Sequence, residues 1–357
     1  MKKTRVLVID DSAFNRRTIS EMLEKSPHIE VIGTASDGEE GLKKAFSLKP
    51  DIITVDLEMP IMNGFTFLRL LMSRMPIPVI VVSSRDDDAN VFKALDFGAV
   101  DFLAKPTARI SRDLLNIEKD IISKVRMVSE LRMDNIKKRV ALKQRVSRVA
   151  KKEQNYIAPR EGGTYDVLAI GSSTGGPPAL QSIFTSLPKD LPLSVVVSQH
   201  MPKGFTQAFA ERLNRLSDLR IKEAEDGDVL DKGSVLIAPG GTHMTLFGKG
   251  EDTLVRIRGK SLDDTYAPSI DKLFTSVSEN YESRSIGLVL TGMGSDGKRG
   301  VIDLKKRGAY VMAESEESAI VYGMPKEAVN TGKVDKILPL EKIPHEIINL
   351  CHNKGLG

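Results

Sequence analysis

Several charged or polar side chains in the first third of the chain each stand at the end of a short apolar run. Asp10 and Asp11 follow Val6-Leu7-Val8-Ile9, Asp56 follows Ile52-Ile53-Thr54-Val55, Ser83 follows Val79-Ile80-Val81-Val82, and Lys105 follows Phe102-Leu103-Ala104. If the runs are parallel strands, their carboxyl ends meet at one edge of a sheet, where ligands bind. Carboxylates gathered there repel one another unless a hard cation lies between them. Mg²⁺ suits such a set, because it takes few carboxylates and keeps waters that phosphate oxygens can replace. Asp56 could then act as a nucleophile on a phosphoryl group. The Ser83 hydroxyl and the Lys105 ammonium would bind the new phosphoryl oxygens. Pro106 would fix the backbone just after the lysine. Asp10 or Asp11 alone could be a helix N-cap, and a lone lysine is usually a surface residue. The whole set at successive strand ends is hard to explain that way.

A second constellation lies in Gly171-Ser172-Ser173-Thr174-Gly175-Gly176. It follows the apolar run Asp166-Val167-Leu168-Ala169-Ile170 and precedes a helical pattern, so Ser173 sits on a strand-to-helix turn. Amide groups at a helix start can face a developing oxyanion, and Thr174 and Met293 are the oxyanion or near-site candidates. A serine hydroxyl needs a base, and the histidines are His28, His200, His243, His345 and His352. His200, in Ser198-Gln199-His200-Met201-Pro202, falls just past a strand. Asp296 falls past another, in Thr291-Gly292-Met293-Gly294-Ser295-Asp296-Gly297. An acid against the imidazole fixes its tautomer and stabilises its cation. Ser173, His200 and Asp296 are therefore the expected triad. A G-x-S-x-G reading would instead use the order Ser173, Asp296, His345. Ser172 is an alternative nucleophile. A phosphate cradle is a third use of the loop, but the P-loop lysine is missing. His243, in Ala238-Pro239-Gly240-Gly241-Thr242-His243, reads as a structural or substrate-facing histidine, and Ser269 as an N-cap.

Strands that read as continuous β-branched runs, alternating with amphipathic helices, predict parallel sheets covered on both faces. Helical periodicity falls at 16–25, 38–47, 64–74, 89–97 and 177–187, and further strands at 31–35, 194–198, 234–238 and 286–290. The fold class is α/β, as two doubly wound parallel-sheet domains. A length of 357 residues allows each its own core. The expected boundaries are 1–125, a basic interdomain linker at 126–162, and 163–357. Apolar residues at 41% and charged residues at 28% describe an ordinary globular chain, and a net charge of +4 does not argue for nucleic acid. The single cysteine, Cys351, forbids an intramolecular disulfide. With no signal-like or membrane-spanning apolar run, the expectation is a cytoplasmic protein without membrane insertion.

Residues 4–122 resemble a two-component receiver domain, a flavodoxin-like fold. The resemblance implies Asp56 as phosphoacceptor, Asp10, Asp11 and Asp56 as the Mg²⁺ site, and Ser83, Phe102 and Lys105 as the switch residues. Many receivers have Tyr where Phe102 stands, so a readout through a ring hydroxyl is unavailable. With the motifs G-S-S-T-G-G, Q-H-M-P, A-P-G-G-x-H, P-S-I-D and T-G-M-G-S-D-G in order, nearly the whole chain resembles the chemotaxis response regulator protein-glutamate methylesterases. That family commonly has Ala where Ser172 stands. The resemblance implies a Ser-His-Asp methylesterase domain that hydrolyses receptor glutamate methyl esters and deamidates receptor glutamines. It implies no cofactor at the esterase site, a chemotaxis histidine kinase as phosphodonor, and methyl-accepting chemotaxis receptors as substrate. Competing expectations are a receiver-controlled esterase or amidase with another substrate, and a non-catalytic or DNA-binding output.

Overall fold

The computed structural model describes residues 3–83, 88–105, 112–128, 165–248 and 252–352. Pro106 and nearly all of the basic stretch expected as a linker lie outside the described residues. The chain divides into two compact units, Met1–Ala150 and Lys151–Gly357.

In the first unit, strands β1 (Thr4–Ile9), β2 (Ile29–Ala35), β3 (Ile52–Val55), β4 (Val79–Ser83) and β5 (Asp101–Ala104) form one parallel sheet in the order β2-β1-β3-β4-β5. Every residue of β3, β4 and β5 is buried, which is why these segments read as unbroken apolar runs. The helix Ala13–Glu24 begins three residues before its apolar periodicity, because the Ser12 side chain accepts from the Asn15 amide and caps it. Asp37 and Asn63 do the same for Gly38–Leu48 and Gly64–Arg74. The boundary expected at 125 falls inside the helix Arg112–Val128.

In the second unit, the strands are β6 (Val167–Ser172), β7 (Ser194–Gln199), β8 (Arg220–Glu223), β9 (Ser234–Ile237), β10 (Thr242–Phe247), β11 (Leu254–Gly259), β12 (Ser285–Val289), β13 (Tyr310–Glu314) and β14 (Lys336–Leu338). Seven of them form a parallel sheet in the order β14-β13-β12-β6-β7-β9-β8, while β10 and β11 pair antiparallel as a separate ribbon. The helix Ile270–Tyr281 carries Ile270, Leu273, Phe274, Val277 and Tyr281 at helical spacing. It buries that stripe against residues of β6, β12 and the ribbon. Phe274 is fully buried, so truncating it to Ala would cost about 3–5 kcal/mol. Among the described residues, no helix is long and apolar enough to cross a membrane.

In each sheet the chain switches from one side of its first strand to the other, between β1 and β3 in the first and between β6 and β12 in the second. Loops leaving the carboxyl ends of such a strand pair diverge and open a crevice. Asp10 and Asp56 follow β1 and β3. Ser173 and Asp296 follow β6 and β12.

Candidate active site

At the first crevice, Asp10, Asp11 and Asp56 bring carboxylate oxygens within 4.8 Å of one another. Lys105 Nζ lies 2.5 Å from Asp56 and 3.5 Å from Asp10. Burial pushes the Asp56 carboxyl up to about 6, and the neighbouring Asp10 charge adds to this, while Lys105 works against it. Burial disfavours the Lys105 charge, but Asp56 and Asp10 outweigh it and hold its pKa above the ordinary value. Oxygen-only donors whose repulsion one lysine leaves partly uncompensated fit a hard cation such as Mg²⁺. Ser83 is buried at the end of β4, and the buried Phe102 ring packs edge-on against Phe92 at 6.1 Å. Lys124 donates to the Phe102 carbonyl at 3.0 Å.

The sign of the Asp56 shift sets a pH dependence. A carboxyl raised in the folded state contributes stability below its unfolded pKa, and that contribution is lost as pH rises through about 6. A bound cation replaces the lost proton. Mg²⁺ binding measured by calorimetry is therefore expected to be about fourfold weaker at pH 5.5 than at pH 7.5. In Asp56→Asn that pH dependence should flatten.

At the second crevice, strand register places the parts. Ser172 pairs with Gln199 across β6 and β7, and the His200 amide donates to the Ser172 carbonyl at 3.0 Å. The Ser173 amide donates to the Thr291 carbonyl at 3.0 Å, which ties the serine turn to the loop after β12. The turn itself is made by Gly175 at φ 77, followed by a helix, Gly176–Phe184, with proline in its first turn. Gly171 serves a different purpose from the turn the sequence suggests. A Cβ there would come within 2.4 Å of Ile270, so it permits the helix Ile270–Tyr281 to pack onto β6. Gly292 lets the loop after β12 back directly onto the nucleophile turn, since a Cβ there would fall 2.8 Å from Ser173 Cβ.

The two adjacent serines occupy different surroundings. Ser172 is fully buried and donates to Gln199 Oε1 at 2.6 Å. Gln199 Nε2 in turn donates to the Ser173 and His200 carbonyls, each at 3.0 Å, and so clamps the two site segments together. Ser173 is only half-buried. Its Oγ makes no hydrogen bond among the described residues. Thr174 is buried, with its carbonyl accepting from the Thr291 hydroxyl at 2.9 Å, and Met293 lies half-buried beside Gly292.

His200 Nε2 lies 2.8 Å from Asp296 Oδ2, and its ring stacks on Tyr266 with centroids 4.5 Å apart and planes 7° from parallel. Asp296 is buried at the N-terminus of the helix Ile270–Tyr281. It accepts from the amides of Ile270 at 2.8 Å, Asp271 at 2.9 Å and Gly297 at 3.1 Å, and from the Ser269 hydroxyl at 3.2 Å. Burial by itself raises the Asp296 carboxyl, but His200 and the helix amides outweigh it and hold the pKa below the ordinary value. An ionised carboxylate only accepts, so His200 Nε2 carries the proton in this contact.

Four contributors escape a reading of the sequence alone. Asp271 accepts from the amides of Gly297 at 2.9 Å and Gly300 at 2.8 Å, so each of two neighbouring helix starts is held by the other's acid. Burial raises the Asp271 carboxyl, with the Asp296 charge adding to it. Gln199, Tyr266 and the dual role of Ser269, which also caps its helix through the Lys272 amide, are the others. The motifs Q-H-M-P and P-S-I-D held three of these residues, but nothing in their spacing says what they touch. His345 bonds Asn349 on its own helix at 3.0 Å, and His243 Nε2 pairs with Asp264 at 2.8 Å, so neither is the partner of Asp296. A cleft of about 270 Å³ opens beside Asp296, bounded by Tyr266, Ser269, Asp271 and Ser295 among others.

Comparison with known proteins finds relatives for both units. A family profile described as CheB methylesterase matches residues 168–347, and one described as response regulator receiver domain matches residues 6–115. Protein-glutamate methylesterase/protein-glutamine glutaminase 3 of Geobacter sulfurreducens is 50% identical, covering 98% of each chain. The protein-glutamate methylesterase/protein-glutamine glutaminase of Caldanaerobacter subterraneus is 44% identical over 96% of this chain and 95% of its own. The crystal structure of the Thermotoga maritima CheB methylesterase catalytic domain is 41% identical, with a TM-score of 0.51, over 52% of this chain and 98% of that one. The fold and the matched profiles define a response regulator receiver joined to a methylesterase domain of α/β architecture. The chain belongs to the protein-glutamate methylesterase/protein-glutamine glutaminase family.

Proposed function

We propose that this protein hydrolyses methyl esters of glutamates on chemotaxis receptors, releasing methanol, and deamidates receptor glutamines, under control of phosphorylation at Asp56. The observation that carries the chemistry is the His200–Asp296 pair, 2.8 Å apart, at the crevice that Ser173 also enters. His200 Nδ1 takes the proton of Ser173 Oγ as that oxygen attacks the ester carbonyl. Backbone N–H groups around Thr174 and Met293 face the resulting oxyanion. The tetrahedral intermediate collapses, and the imidazolium gives its proton to the leaving methoxide or amide nitrogen. Methanol or ammonia departs, leaving an acyl ester on Ser173. Water, deprotonated by His200, then attacks that ester and frees the glutamate carboxylate and the serine. No part of this sequence calls for a cofactor at the esterase site.

In the receiver, Asp10, Asp11 and Asp56 would hold Mg²⁺, which neutralises charge on the incoming phosphoryl group. Asp56 supplies the nucleophilic oxygen, and a chemotaxis histidine kinase is the donor. Lys105 and Ser83 bind the phosphoryl oxygens, with Phe102 as the switch aromatic. The three segments of the reading are the receiver at 1–125, the linker at 126–162 and the esterase at 163–357.

The test is methanol release from methylated receptor membranes, with and without a small phosphodonor and Mg²⁺. Release is expected to rise with phosphodonor in the wild type and to stay at its basal level in Asp56→Ala. Release that ignores phosphodonor in the wild type would retain the esterase and remove Asp56 as its controller. No release from folded protein under any condition would overturn the substrate assignment.

A further inference from the structure

The structure holds a second imidazole–carboxylate pair that the reaction does not use. His243, on β10, is 2% exposed and places Nε2 2.8 Å from Asp264 Oδ2. Asp264 also accepts from the Ser261 amide and hydroxyl, both at 2.8 Å, and from Lys272 Nζ on the helix Ile270–Tyr281. Lys272 and the Ser261 amide, more than His243, hold its carboxyl well below the usual range, so it is an anion bound to three chain segments at once. These bonds pin the strap from Ser261 to Tyr266, which runs between β11 and that helix. The strap's next residue is pinned too, since the Gly241 amide donates to the Ala267 carbonyl at 3.1 Å.

The strap ends on Tyr266, whose ring lies parallel to the His200 imidazole. Its hydroxyl reaches the loop after β12, where a Cβ on Gly294 would come within 2.7 Å of the phenol oxygen. A parallel ring at this distance blocks rotation of the imidazole out of its plane. It therefore keeps Nε2 on Asp296. Its electron-rich face also favours the imidazolium formed when His200 takes a proton.

We propose that Tyr266 is a positioning residue for His200, fixing the imidazole plane and favouring its protonated form, and that the Asp264 anchor with His243 holds the strap that carries it. This rests on His200 acting as the base, as proposed above. Among the described residues, the titratable groups in contact with His200 are the Asp296 carboxylate at Nε2 and the Tyr266 ring, with Asp271 bonded to Asp296. Both acids remain when the ring is removed, so a change in the pH profile reports the ring.

The test compares Tyr266→Leu, Tyr266→Phe, Asp264→Ala, the Tyr266→Leu/Asp264→Ala double variant and His200→Gln in the full-length protein. The readouts are methanol release and the pH dependence of labelling by a serine-directed fluorophosphonate. Tyr266→Leu is expected to lower kcat about tenfold, with a smaller change in KM, and to move the acid limb of the labelling profile to lower pH. Tyr266→Phe, which keeps the stacked face, should stay within about twofold of wild type in rate and keep its profile. Asp264→Ala should move both readouts in the same direction as Tyr266→Leu. The double variant should be no worse than Tyr266→Leu, because both changes act through one ring. A Tyr266→Leu protein with the wild-type rate and pH profile, beside an inactive His200→Gln, would overturn the assignment and leave the triad standing. So would a Tyr266→Phe protein as impaired as Tyr266→Leu, since the acting group would then be the hydroxyl. An active His200→Gln protein would overturn the triad itself.

Discussion

Replacing Ser173 by Ala is expected to lower methanol release by about 10⁶-fold while leaving the thermal midpoint nearly unchanged. The size follows from chemistry. Without the hydroxyl no acyl-enzyme forms, and what remains is the small benefit of substrate binding and the oxyanion donors. The unchanged stability follows from the surroundings. Ser173 is half-buried, and its Oγ makes no hydrogen bond among the described residues, so nothing is left unpaired when it goes. Ser172→Ala is the necessary contrast. Its hydroxyl is buried and donates to Gln199 Oε1, so its loss strands a buried acceptor at a cost of about 1–3 kcal/mol. Activity in that variant should fall by less than about tenfold, because Gln199 Nε2 still holds the Ser173 and His200 carbonyls. One serine should therefore matter for rate and the other for stability. Calorimetry beside the methanol assay would show it, and the reverse pattern would make Ser172 the nucleophile.

What the sequence could disclose followed the physics of each segment. β3, β4 and β7 are buried on both faces and β-branched, so they read as strands without ambiguity. The edge strand β8 alternates exposed and buried residues with charged ends, and β14 has three residues, so neither stands out from a loop. β13 escapes for another reason, since Tyr310-Val311-Met312-Ala313-Glu314 is poor in β-branched residues although the structure buries nearly all of it. The ribbon of β10 and β11 has no tight two-residue turn to announce it. The residues proposed for chemistry were legible because strand ends constrain them. Asp10, Asp56, Ser173, His200 and Asp296 each follow a run that is plainly a strand. Their supports were not legible. Tyr266 stacks on His200 from 66 positions away, and Asp271 reaches the start of another helix, contacts that depend on how helices dock and not on any local pattern.

That docking also governs the outcome of Asp296→Asn, which is expected either to lower turnover about 10⁴-fold or to destabilise the second unit, according to which way the new amide turns. Asp296 Oδ2 accepts from His200 Nε2 and the Ile270 amide, while Oδ1 accepts from the Asp271 and Gly297 amides and the Ser269 hydroxyl. A carboxylate can serve all of these donors, but an amide keeps one oxygen and gains a donor. If the new NH₂ takes the Oδ2 place, it faces His200 and the Ile270 amide. Nε2 must then give up its proton to accept, which puts the proton on Nδ1, where the base is needed. If the NH₂ takes the Oδ1 place, it meets the Asp271 and Gly297 amides and opens the start of the helix Ile270–Tyr281. That helix carries Ile270 and Phe274 into the core beneath the site, so disturbance there spreads into packing. The two orientations thus fail differently, one through the tautomer and one through the cap. Nitrogen-15 NMR of the His200 ring, read beside the thermal midpoint, separates them. A proton on Nδ1 with stability retained marks the first, and a lowered midpoint with the proton still on Nε2 marks the second. Wild-type turnover with an unchanged ring would remove Asp296 from the mechanism and leave it only its structural role at the helix start.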